Sequence, residues 1–136
     1  MKLLPILLLT LLLSLGVACS PEPSADYQPD ADAIIEARTY VDKGVQYFAL
    51  GQYEKAIKSY DKAIRLNPKT ANAYNKRGVA YQSLGQYDKA IQDYDEAIRL
   101  DPENASAYHN RGIANEALGN SLQAEQDSAK SKELLR

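Results

Sequence analysis

Six of the seven glycines fall into two registers, Gly44/Gly78/Gly112 and Gly51/Gly85/Gly119, each stepping by 34 residues. The same step relates Tyr40/Tyr74/Tyr108, Tyr47/Tyr81, Tyr53/Tyr87, Tyr60/Tyr94, Ala56/Ala90/Ala124, Ala63/Ala97 and Pro68/Pro102, and residues 37–70 match 71–104 at 19 of 34 positions. A period of this length belongs to a supersecondary unit that cannot bury its apolar face alone and does so by stacking on copies of itself. The spacing therefore predicts a quasi-linear array in place of a globular fold with one centre.

Each unit reads as two helices joined by a turn. In 71–104 the first helix is predicted from about Ala73 to Leu84, with Tyr74, Gly78 and Tyr81 at 4/3 spacing. Gly85-Gln86 makes the turn, and the second helix runs from about Tyr87 to Leu100, with Ala90, Ile91, Tyr94, Ala97 and Ile98 on one stripe. Asp101-Pro102 then ends it, since proline disfavours helix at the residue before it. Gly78 and Ala90 let the paired helices approach closely, while Tyr81 and Tyr94 fill the space around them. The third unit, 105–136, keeps Tyr108, Gly112, Gly119 and Ala124 but carries Asn115, Ser121, Ser128 and Ser131 where the second has Tyr, Tyr, Tyr and Ala. These polar changes read as a capping unit that meets water; a surface completed by a second chain is the alternative.

The pattern Tyr74, Arg77-Gly78, Tyr81, Ala90, Tyr94, Ala97, Pro102, and its counterpart Tyr40, Lys43-Gly44, Tyr47, Ala56, Tyr60, Ala63, Pro68, resembles the tetratricopeptide repeat (TPR) family. Lys43, Arg77 and Arg111 stand where that pattern has leucine, and a packed stem with the charge in water is expected of them. The resemblance implies an all-α solenoid of three helix-turn-helix units (37–70, 71–104 and a degenerate, capping 105–136), with the first helices lining a concave face that docks peptides or partner helices. Carried over position by position, that face comprises Arg38, Val41, Asp42, Val45 and Phe48; Asn72, Asn75, Lys76, Val79 and Gln82; and His109, Asn110, Ile113 and Glu116. Val45, Val79 and Ile113 would form an aliphatic strip flanked by asparagine amides able to pair with a peptide backbone. The positions with which co-chaperones of the family grip a C-terminal carboxylate are here Val41, Val45, Lys76, Ser106 and Asn110, so that clamp is not expected.

Residues 1–18 have a different character: Lys2, an apolar run from Leu3 to Leu15, then Gly16 and Ala18. This reads as an export signal, too short and too interrupted for a comfortable membrane span. Cys19, the only cysteine, follows Ala18, and Leu15-Gly16-Val17-Ala18-Cys19 resembles a bacterial lipoprotein lipobox, which implies lipidation of Cys19. The alternatives are an ordinary signal leaving a free thiol and an uncleaved anchor. Residues 19–36, with Pro21, Pro23, Pro29 and several carboxylates, read as an extended tether. Ser20 after the cysteine leans toward the outer membrane of an enteric-type envelope, on the periplasmic side.

With 16 basic and 18 acidic side chains the chain carries net −2, the wrong sign for a binder of phosphate backbones, so no nucleic-acid partner is expected. One Cys and one His cannot build a zinc site, so neither a metal nor another cofactor is expected. No nucleophile motif accompanies His109, and Asp93, Asp95 and Glu96 read as a solvated face paired with Lys89 and Arg99. The reading is a non-enzymatic, exported, lipid-tethered scaffold that binds a protein or peptide partner in the cell envelope, with self-association through the third unit as the alternative.

Overall fold

The computed structural model describes residues 28–136, so the export signal, Cys19 and the tether up to residue 27 lie outside the described residues. Six helices follow one another: α1 (Ala31–Ala49), α2 (Tyr53–Leu66), α3 (Ala71–Ser83), α4 (Tyr87–Leu100), α5 (Ala105–Ala117) and α6 (Ser121–Leu134). Each unit is thus a helical hairpin, as the spacing predicts. The first helix of the second unit starts at Ala71, two residues earlier than its apolar pattern suggests, because Thr70 accepts the first backbone bonds from Ala73 and Tyr74. α1 begins still earlier relative to its unit: the Asp30 carboxylate accepts a 2.7 Å bond from the Ala33 N–H, and Ala31–Glu36, which composition placed in the tether, add a turn and a half of helix.

The three hairpin turns have one construction. Gly51, Gly85 and Gly119 adopt φ of 71°, 72° and 79°. Their N–H groups bond back to Phe48, Gln82 and Glu116, and the next N–H groups reach Tyr47, Tyr81 and Asn115. This is the Schellman arrangement, which satisfies carbonyls left free at the helix end and turns the chain through a residue without a Cβ penalty.

Within a hairpin the spacing is set by tyrosine against glycine. A Cβ on Gly78 would stand 2.6 Å from Cε1 of Tyr94, and Gly44 bears the same relation to Tyr60. Both rings are fully or almost fully buried, and burial pushes the Tyr60 hydroxyl up to about 12. Between hairpins, Ala73, Ala80, Ala107 and Ala114 have no exposed surface, so α3 and α5 seat directly on the preceding hairpin. Ile57 and Ile64, and in the next unit Ile91, pack against these cores. α1 touches α3 and α3 touches α5, whereas the second helices α2, α4 and α6 do not touch one another. The array therefore curves toward its first helices, which line the inner face.

Arginine joins the units, and here the expectation of a charge reaching water is corrected. Arg77 grips Asp93 of its own hairpin through Nε (2.9 Å) and Nη2 (2.6 Å), and Asp61 of the preceding one through Nη1 (2.6 Å). Arg111 repeats this with Asp127 (3.0 and 2.7 Å) and Asp95 (2.6 Å). Among the described residues, these two side chains make every ion pair that joins two helices. Asp93 is accordingly buried in place of lying on a solvated face; Asp95, Lys89 and Arg99 are exposed as expected, but Asp95 pairs with Arg111, and only the Glu96–Arg99 ion pair forms within that face.

The third unit caps the array; of its polar replacements Ser121 is exposed and Ser128 half-buried, as a water-facing cap requires, but the other two turn inward. Asn115 and Ser131 are buried, and Asp127 accepts from Arg111, Asn115 and Gln123. What caps the end is the loss of the receiving surface: Ile91, Tyr94, Asp95 and Ile98 of the second unit become Glu125, Ser128, Ala129 and Lys132.

Gly78→Ala should lose about 3 kcal/mol in urea denaturation followed by circular dichroism, because the Tyr94 ring has nowhere to move. Gly85→Ala, strained in φ but facing open space, should lose about 1 kcal/mol. Arg77→Leu should cost about 3 kcal/mol near neutrality by leaving Asp93 buried and unpaired. Burial already pushes the Asp93 carboxyl up, against the hydrogen bonds and charge of Arg77. A carboxyl whose folded pKa stands above its unfolded one stabilises the fold when protonated and loses that contribution as pH rises through the folded value. The Arg77→Leu deficit should therefore shrink from pH 7.5 to about pH 5, and a deficit independent of pH would refute the assignment.

Candidate peptide-binding face

The inner face is built from α1, α3 and α5. Its side chains recur at fixed register because all three helices carry the same period against their own hairpin partners. Val45 and Ile113 are 40% and 44% exposed, with Val79 half-buried between them, so an aliphatic strip is available to a partner. Exposed branched aliphatics repeated at one register differ from the scattered apolar residues of any surface.

Around the strip the expected residues divide. Arg38, Asp42 and Asn72 stand exposed at a cleft of about 380 Å³ between α1, the α2–α3 turn and α3. Val41 is only 5% exposed: it forms part of the cleft's floor and belongs to the core, since α1 packs that edge against the first unit's interior. Asn75, His109 and Asn110 meet at a second cleft of about 470 Å³ that also takes in Ser106, Ser131 and Leu135. Asn110 donates to Asn75 across 3.1 Å, which aligns two amides from successive units and leaves each with hydrogen-bonding capacity. His109, exposed, also borders a smaller cleft with Ile113 and Glu116.

Two positions, Gln82 and Phe48, are spoken for within the chain. Gln82 accepts a 2.9 Å bond from the buried Tyr94 hydroxyl, and Tyr94 is held far above the usual phenol range by burial and then by the Asp93 charge. Phe48 lies half-buried with its ring 5.1 Å from that of Tyr53, and Lys76 is half-buried on α3. Sequence reasoning missed Ile34, whose place in the first cleft depends on the extra turn of α1, and Leu135, brought to the second cleft by the antiparallel return of α6. The only hint of Ile34 was the Asp30 cap, which lies outside the repeat register.

The TPR repeat family model matches residues 44–85 and 80–119. The second TPR domain of Spaghetti (RPAP3), solved bound to the HSP90 peptide SRMEEVD, is similar at 32% identity and a TM-score of 0.72, over 73% of this chain and 92% of that one. The Arabidopsis OM64 TPR domain is similar at 30% identity and 0.74, over 75% and 84%. MamA is similar at 34% identity and 0.71, over 76% of this chain and 60% of that one. No curated protein matches. The chain belongs to the tetratricopeptide repeat family, a family of protein-interaction scaffolds.

Tyr94→Phe should cost about 1 kcal/mol and release the Gln82 amide, read as increased side-chain mobility by NMR relaxation. An unchanged Gln82 signal would mean that the bond does not hold it.

Proposed function

We propose that this protein is an exported, membrane-tethered scaffold of a bacterial cell envelope that holds a protein partner against its inner face. Lipid on Cys19 fixes its location, the residues before α1 set its reach, and the Val45–Val79–Ile113 strip with its flanking amides selects the partner. The observation that carries this reading is that strip: exposed aliphatic residues on the concave side of a fold whose RPAP3 relative is solved with a peptide. Ser20 favours the outer membrane, on its periplasmic side.

The ligand differs in kind from the acidic peptide of the RPAP3 structure. At the matching positions stand Val41, Val45, Lys76, Ser106 and Asn110, a single cation with two aliphatic residues, so a terminal carboxylate lacks the charges that would offset its desolvation. An internal, largely uncharged segment fits the strip better. Self-association through the third unit is disfavoured by Glu125, Ser128 and Lys132, which stand where an apolar receiving surface would be.

Photo-crosslinkers at Val45 and Ile113 in the native cell should give one discrete protein adduct from both sites and none from Arg99 on α4. Adducts from Arg99 alone, or only to a second copy of this chain, would overturn the binding face. Cys19→Ala should release the protein from membranes, and full retention would overturn the lipid tether.

A further inference from the structure

The first unit carries a charge feature that the repeat does not require. Lys55, Lys58, Lys62 and Arg65 are exposed on α2 and fall within about 80° of arc at 3.6 residues per turn, with Lys69 following in the α2–α3 turn. The same register in the second unit reads Lys89, Gln92, Glu96, Arg99 and Glu103, so the stripe belongs to unit one alone. Lys43 extends it onto α1. Lys43 holds the register of Arg77 and Arg111, but unit one has Ser59 where they find Asp93 and Asp127. Among the described residues none of these six cations forms an ion pair; instead Lys43 and Lys55 lie 5.9 and 5.7 Å from the Tyr47 ring centre and Lys62 lies 5.2 Å from that of Tyr40. Asp61, next to Lys62, is taken by Arg77, which leaves Glu54 on α2 and Asp30, Asp32, Glu36 and Asp42 at the start of or along α1 as the exposed acids of the first unit.

The geometry points to an anionic bilayer surface as the partner of this stripe, laying unit one against lipid headgroups while the inner face stays free. The choice of a membrane over a soluble acidic protein rests on the proposed tether: α1 and α2 are antiparallel, so the end of α1 from which the chain runs back toward Cys19 lies beside Arg65 and Lys69. Lysines over half-buried tyrosine rings suit a diffuse, hydrated layer of phosphates better than a shaped pocket does. Lys43 and Val45 stand about 160° apart around α1, so contact at the stripe does not occlude the strip.

The test uses the full chain purified from membranes and reconstituted into phosphatidylcholine vesicles with and without phosphatidylglycerol, at low and high salt. A water-soluble amine reagent should label Lys58 and Lys62 at least about tenfold more slowly with phosphatidylglycerol at low salt. High salt should abolish the difference, and Lys89 and Lys130 should not show it. The triple variant Lys58→Gln, Arg65→Gln, Lys69→Gln touches no aromatic ring and should fold, float with both vesicles and lose the protection of Lys62. Equal labelling in both vesicles would overturn the proposal, as would protection seen only in intact cells, which would give the stripe to an acidic protein. Loss of the tether alone would read differently: flotation would fail with neutral vesicles and persist with anionic ones. Flotation with neither would overturn both.

Discussion

The closest constraint in this molecule is an aromatic ring lying where a Cβ would be. Tyr60 and Tyr94 occupy the space beside Gly44 and Gly78, and this fixes how near the two helices of a hairpin stand. Everything further out depends on that distance. With the hairpin closed, the next helix must present residues no larger than alanine, and Ala73, Ala80, Ala107 and Ala114 do so with no exposed surface. Interiors packed to this density tolerate little change in volume, so the curvature that follows is a property of small side chains at two register positions.

Packing of this kind has no intrinsic end, since each hairpin offers its neighbour what it received. The arginines supply direction and length. Arg77 and Arg111 each need an aspartate from their own unit and one from the unit before. Among the described residues Lys43 has no such aspartate, Ser59 standing in the register of Asp93, and in the third unit Ala129 stands where Asp61 and Asp95 accepted the next arginine. Thr39 and Gln46, in the register of the buried alanines, present polar atoms at the first end, while Glu125 and Lys132 replace isoleucines at the last. Both of these end faces are thereby polar.

The fold was legible because repetition allows each position to be read two or three times. Hairpins, turns and the departures of the third unit follow from residues that recur, or fail to recur, every 34 positions, and the inner register from the resemblance that those residues carry. Features that depend on one local cap or on a side chain from another helix were the ones misread. The extra turn of α1 comes from a single Asp30 cap, and the burial of Asp93 came from a partner sixteen residues away, whereas its local neighbours Lys89 and Arg99 suggested a solvated face.

The sequence by itself determined the repeating unit and its turns, because periodicity, glycine in left-handed turns and proline at unit ends are local statements about backbone and pattern; which helix faces inward was implied only by the resemblance to the TPR family. Tertiary structure decided which inward residues are free. Val41 sinks into the core, Gln82 is taken by Tyr94, and Asn75 and Asn110 align each other, leaving Val45, Val79 and Ile113 open together with Arg38, Asp42, Asn72 and His109. The physical reason is that exposure and hydrogen bonding at one register position depend on side chains from neighbouring helices, and those distances are set only when the hairpins stack.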